Sequence, residues 1–213
     1  MHDTSVRYAS LFHEIYLNNT ETVINFVDVG SQDVNGCLRP VFTNPLIRYT
    51  GVDYAEGNNV DVVLDNPYQL PFKSNSVDVI VSSSCFEHIE FFWVMFEEML
   101  RILKPDGLLY INAPCRGGNF HRHPVDCWRF YPDSGRALAR WGQRQGYNCD
   151  LIESFVGHRA LGGWSDFVGV FIKDVNYINQ YPNRIQYHIP DYDNGLVYGS
   201  DHFTNLNNNN YTV

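Results

Sequence analysis

The chain has 213 residues, 44% hydrophobic and 18% charged. That suits one globular domain with a sizeable core and is too short for two full-sized catalytic domains. Lys and Arg number 15 against 24 Asp and Glu, a formal net charge of -9, which argues against a surface that grips nucleic-acid phosphates. No apolar run reaches the roughly 18 residues of a membrane span, and MHDTSVRYASLF lacks the basic segment and apolar core of a secretory signal. Cys37, Cys85, Cys115, Cys127 and Cys149 are odd in number and form no C-x-x-C pair. Reduced thiols in a cytoplasmic setting are expected, not a disulfide framework or a structural zinc.

Residues 1–22 read as one amphipathic helix, with Tyr8, Leu11, Phe12, Ile15 and Tyr16 at three- and four-residue steps. Residues 23–29 form an apolar strand stopped at Gly30. Residues 48–53, 60–65 and 77–82 repeat the pattern, and near-continuous apolar runs suit strands covered on both faces. A helix over 91–103 presents Phe92, Met95, Phe96, Met99, Leu100 and Leu103 on one side, and Lys104-Pro105-Asp106-Gly107 stops it. Residues 108–113 are a fifth strand. Residues 115–131 form a polar loop, 132–145 a helix, and 147–156 and 167–173 a last pair of strands. The division expected is a helix over 1–22, a doubly wound α/β domain over 23–173, and an irregular extension over 174–213, rich in Asn and Tyr and without Lys.

The first strand ends in Asp28-Val29-Gly30-Ser31, and the second in Gly51-Val52-Asp53-Tyr54. A glycine after a strand lets a ligand approach the backbone. An acid at the end of the next strand, at the offset of roughly 20 residues that a βαβ unit produces, can accept ribose hydroxyls. Each piece alone is unspecific. Together with Asp65, Leu70-Pro71-Phe72, Val77-Asp78-Val79-Ile80-Val81 and Leu103-Lys104-Pro105-Asp106-Gly107, the order resembles the class I S-adenosylmethionine-dependent methyltransferases, in particular their small-molecule branch. The resemblance covers about residues 24–113. It departs from the usual pattern where G-x-G-x-G is reduced to Gly30 and Gly36, and where PGG reads Pro105-Asp106-Gly107.

The resemblance implies a doubly wound, mainly parallel seven-stranded sheet with helices on both faces, and S-adenosylmethionine as cofactor. Carried over, Asp28 and Gly30 would lie beside its methionine half, with Ser31 next to them. Asp53 and Tyr54 would take the ribose, Asp65 the adenine amine, and the stretch Ser83-Ser84-Cys85 would line the methyl-donor side. A sulfonium, a diol and an amine call for acceptor oxygens and no phosphate-cradling lysine.

Acceptor chemistry is expected beyond the carboxyl ends of the fourth and fifth strands. His88, His121, His123 and Asp126 are the candidates for proton transfer, with His123 as base and Asp126 as its orienting carboxylate. The plainer reading is a polar loop in which Asp126 pairs with Arg129. No second acid is evident in the loop, so no metal is expected. Arg116, Arg122, Trp128, Arg129, Tyr131 and Trp164 supply planar and polar faces suited to a sugar. The H-x-H-P-x-D-x-W-R-F-Y-P stretch looks like those of methyltransferases that decorate surface glycans, which implies O-methylation of a sugar hydroxyl, such as that of rhamnose. The acceptor would be a small molecule or oligosaccharide, and the chain could act within a larger glycan-synthesis protein or complex. The alternatives are a quinone, lipid or phenol acceptor, a non-catalytic cofactor-binding module, and an NAD-dependent oxidoreductase, against which the missing G-x-G-x-x-G counts. Asn66-Pro67-Tyr68 lacks the two prolines of N-P-P-Y and follows the third strand, so nucleic-acid methylation is not expected.

Overall fold

The computed structural model describes residues 3–18, 20–116, 120–158 and 164–207. Among them, eight strands form one sheet: β1 (Ile24–Val29), β2 (Ile47–Asp53), β3 (Val62–Val63), β4 (Val77–Ser83), β5 (Leu103–Arg116), β6 (Asp150–His158), β7 (Ser165–Ile172) and β8 (Tyr192–Val197). The helices are α1 (Asp3–Phe12), α2 (Phe92–Ile102) and α3 (Pro132–Arg144). The strand order is β3-β2-β1-β4-β5-β7-β6-β8. The first five strands in that order are parallel, and β7, β6 and β8 pair antiparallel. None of the described helices is long and apolar enough to cross a membrane.

Side chains alternate across each strand, so the inner strands feed two cores. Val27, Val29, Ile80, Leu109 and Ile111 meet Met95, Phe96, Met99 and Leu100 of α2 and Leu138 and Ala139 of α3 on one face. Phe26, Val79, Val81 and Tyr110 meet Tyr8, Ala9 and Phe12 of α1 on the other. Helix α1 continues into a π-helical turn, His13–Leu17. Pro132 opens α3, and Gly146 follows its end at φ 93°, the left-handed geometry that glycine adopts without a Cβ clash.

Four expectations change. The sheet has eight strands, not seven. The third strand shrinks to Val62–Val63 at the open edge. Lys104–Gly107 does not separate helix from strand but bulges within β5, where Val77 pairs with Leu103 and Val79 with Leu108. Residues 174–213 are not wholly irregular, since Tyr192–Val197 adds an antiparallel strand to the outer edge of β6. A fifth feature sets the site: between β1 and β2 the chain makes only a short 3-10 turn, Arg39–Val41, and no α-helix follows Gly30. Gly36, Pro40 and Pro45 in that stretch each work against a continuous helix.

Candidate active site

Strand β1 lies between β2 and β4, with Asp28 in register with Gly51 on one side and Val81 on the other. The chain direction of the winding reverses there, which is where open α/β sheets bind their ligands. A cavity of ≈ 520 Å³ opens beyond these strand ends, within the range of about 300–1,000 Å³ usual for ligand sites.

One end of the cavity is built from the first two strands. Asp28 is 3% exposed and accepts the Tyr49 hydroxyl. Burial pushes its carboxyl up to about 7, opposed by the Tyr49 bond and the charge of Arg39. Gly30 sits at φ 78°, and a Cβ there would meet Cys85 Sγ at 2.2 Å, so only glycine fits. The amides of Gly30 and Ser31 both donate to Val52 O, at 2.9 and 3.1 Å, and the Ser31 hydroxyl donates to Asn59 O. The turn is therefore tied to β2 and offers no free amides of its own at these two residues. Asp53 accepts the amides of Gln32 at 3.1 Å and Tyr54 at 2.8 Å. Tyr54 and Ser84 line the cavity. Ser84 holds φ 52°, a costly geometry for a residue with a side chain, and its amide donates to Asn112 O.

The other end is built from the turn after β4 and the loop beyond β5. The 3-10 turn Phe86–His88 receives the loop: the amides of Cys127 and Trp128 donate to Glu87 O at 2.8 and 3.2 Å. Trp128 Nε1 donates to Ile89 O at 3.0 Å. His88 Nδ1 donates to Val125 O, because a carbonyl can only accept. This docking brings the buried Glu87 carboxylate near two imidazoles, 3.6 Å from His88 Nε2 and 3.9 Å from His121 Nε2. Asp126 accepts both Arg129 terminal nitrogens, at 2.5 and 2.9 Å, and the His121 amide at 2.8 Å. The Arg129 bond holds its carboxyl well below the usual carboxylate range.

Several candidates from the sequence come together here and several do not. Asp28, Gly30, Ser31, Asp53, Tyr54, Ser84, His88, His121, His123 and Trp164 all line the cavity. Asp65 is exposed and does not line it, although Leu64 and Pro67 on either side do. The pair His123–Asp126 does not form. His123 is exposed with Nε2 3.4 Å from Gln32 Oε1, and Asp126 faces His121 Nδ1 at 3.5 Å instead. Trp164 stands edge-on to His121, ring centres 5.5 Å apart. The remaining five planar and basic residues lie outside the lining. Arg116 pairs with Asp193 at 2.9 Å, Arg129 with Asp126, and Trp128 packs edge-on against Phe92. Tyr131 caps α3, its amide donating to Ser134 Oγ, and Arg122 is exposed. Ser83 and Cys85, on either side of Ser84, line the cavity too, whereas Glu87 and Gln32 were not among the candidates. Glu87 stood beside His88 in the sequence, but its closeness to His121 depends on how the loop docks.

The lining suits an adenosyl sulfonium. It offers carboxylate oxygens at Asp28 and Asp53, a glycine whose missing side chain leaves room, and no Lys or Arg among the described residues. Residues 27–111 match the model of a methyltransferase-domain family. An uncharacterized methyltransferase of Mycobacterium leprae is 30% identical over 161 residues, 68% of this chain and 59% of that protein. The chain thus spans about three fifths of the length of the first curated relatives it matches. Among solved structures, the Burkholderia thailandensis 1,6-didemethyltoxoflavin-N1-methyltransferase, determined with 1,6-didemethyltoxoflavin and S-adenosylhomocysteine bound, superposes with a TM-score of 0.62. It is 18% identical, covering 80% of this chain and 78% of that one. The [4+2]-cyclase SpnF superposes at 0.57 with 15% identity, covering 79% and 81%. At such identities the likeness carries the fold alone. Strand order, crevice and family match agree that the chain carries, over residues 27–111, a class I S-adenosylmethionine-dependent methyltransferase domain with S-adenosylmethionine as its cofactor.

Proposed function

We propose that the chain methylates a hydroxyl oxygen of a small polar acceptor, a sugar of a glycan. The observation that carries this reading is the two-ended cavity, with Asp28 and Asp53 at one end and Glu87, His88, His121 and Trp164 at the other. When bound, S-adenosylmethionine supplies an electrophilic methyl group on a sulfonium. Asp53 takes the ribose hydroxyls, Asp28 and the Gly30 turn flank the methionine portion, and Leu64 and Tyr68 face the adenine. Asp65, exposed, takes no part in that arrangement. The imidazoles at the far end orient the acceptor hydroxyl and ease loss of its proton, an effect worth about 10²–10⁴ in rate. Holding acceptor and donor in line supplies more, roughly 7–11 kcal/mol. Trp164 offers an edge or face for the C–H side of a sugar ring. The five free thiols support a reducing, cytoplasmic setting.

A second reading, a phenol or quinol acceptor, is favoured by one observation: Val34, Ile89, Met95 and Val125 add apolar wall to the same cavity. One experiment separates the two. The chain is incubated with S-adenosylmethionine and panels of oligosaccharides and phenols, and mass spectrometry follows S-adenosylhomocysteine and the gain of one CH2 per acceptor. Methylated sugars support the first reading and methylated phenols the second. A chain that neither binds the cofactor nor forms S-adenosylhomocysteine with any acceptor sinks both.

A further inference from the structure

We propose that Glu87, His88 and His121 form a divalent transition-metal site at the acceptor end of the cavity. The inference deepens the methyl-transfer reading of that site and rests on it only for what the ion would do there.

Three observations carry it. First, one ligand atom from each of the three residues lies within 4.8 Å of the others. The separations from Glu87 Oε1, 3.6 Å to His88 Nε2 and 3.9 Å to His121 Nε2, approach the roughly 3.4 Å between ligands about 2.1 Å from one tetrahedral ion. Second, both rings are already oriented. His88 donates its Nδ1 proton to Val125 O, which leaves the Nε2 lone pair turned toward Glu87. His121 presents Nδ1 to the Asp126 carboxylate at 3.5 Å, and Arg129 fixes that carboxylate from behind. A backbone carbonyl on one imidazole and a carboxylate on the other are the outer partners that metal-bound histidines use to set tautomer and direction. Third, Glu87 is 1% exposed, and its Oε2 has no hydrogen-bond partner among the described residues. A buried carboxylate with an unmatched oxygen is costly unless a cation or a donor meets it.

Two imidazoles and one carboxylate are the donor set of zinc and related first-row ions, with a position left open for another ligand. The set lies in the cavity lining, so the open position faces the space where an acceptor hydroxyl would sit. Coordination there would polarise the O–H bond and let its proton pass to solvent. The loop's own residues do not point to a metal, because the acid comes from the turn after β4 and not from the histidine loop.

The test uses tag-free full chain, stripped with a chelator and dialysed. Co2+ is titrated by visible absorption and Zn2+ by calorimetry. S-adenosylhomocysteine affinity is measured on the same samples. One equivalent of Co2+ with the bands of a low-symmetry nitrogen–oxygen site is expected. His121→Ala and His88→Ala should weaken Zn2+ binding more than about 100-fold. Asp126→Asn, which removes only the orienting charge, should weaken it about 10- to 100-fold. S-adenosylhomocysteine affinity should stay within about threefold throughout. Should Glu87→Gln fail to fold, His121→Ala, at a half-exposed residue, carries the test. Absence of a Co2+ spectrum in the wild type, or Zn2+ affinity unchanged in His121→Ala, overturns the site and leaves a metal-free imidazole–carboxylate network. Metal binding without cofactor binding would sink the methyl-transfer reading and leave the metal site standing.

Discussion

His123 and Gln32 face one another at the cavity, Nε2 to Oε1 at 3.4 Å. One sits on the loop after β5 and the other on the turn after β1, so this contact joins the two ends of the cavity. A single hydrogen bond of this kind contributes about 0.5–1.5 kcal/mol. Gln32→Ala and His123→Ala should each speed S-adenosylhomocysteine release by up to about tenfold in stopped-flow displacement. The double variant should be no faster than the faster single. Additive effects would mean the two residues act separately.

Asp53→Ala should weaken S-adenosylmethionine binding by more than about tenfold, at least 1.4 kcal/mol. The substitution removes the proposed ribose acceptor and leaves the amides of Gln32 and Tyr54 without the oxygens they use. Asp53→Asn keeps one of these oxygens and should fall between. Calorimetry that finds the wild-type affinity in Asp53→Ala would remove Asp53 from the ribose role.

Gly30→Ala brings a Cβ within 2.2 Å of Cys85 Sγ and holds alanine at φ 78°. Left-handed geometry alone costs on the order of 1–3 kcal/mol, and the clash adds to it. Thermal unfolding should shift down by several degrees, and cofactor affinity should drop with it. A variant as stable as the wild type would show that the turn adapts.

Asp28 carries a pH dependence. Burial raises its carboxyl to about 7, with Tyr49 and Arg39 pulling it down and Asp53 pushing it up. A carboxyl raised in the folded state favours folding while protonated. Its destabilising cost appears as pH climbs from about 4 and is complete above about 7. Asp28→Asn keeps an acceptor for the Tyr49 hydroxyl and has no charge to bury. It should therefore stabilise the ligand-free chain at pH 8 by up to about 4 kcal/mol, seen as a higher melting temperature, and change it little at pH 4. An equal shift at both pH values would show that burial of this charge is not what matters.

The end of the cavity proposed for the cofactor was readable because it uses strand ends. Asp28 and Asp53 lie near the ends of apolar runs, and the parallel register, which sets Asp28 opposite Gly51, brings both to the same end of the sheet whatever the loops do. The acceptor end was not, because its residues are sorted by docking and not by spacing. Trp128, Arg129 and Arg116 have the composition of a sugar site, yet Trp128 and Arg129 serve to fasten the loop and Arg116 to hold Asp193. Glu87 was visible beside His88, but nothing linear links it to His121. Strand β8 was hidden for another reason. Asp193, Asn194 and Gly195 are poor strand formers, and the open edge of β6 supplies the pairing that their own propensity does not.

That late strand changes where the folding unit ends. Asp193 on β8 grips Arg116 at the mouth of the loop and His158 at the end of β6, at 2.9 Å each. Glu153, deep in β6, accepts the Tyr16 hydroxyl and the amides of Ile185 and Gln186. A fragment cut at residue 173 would leave β6 with a bare, sticky border and a buried acid stripped of two donors. Expression trials of pieces that stop at residue 173 should yield aggregates, whereas pieces that keep the tail through residue 207 should stay dispersed.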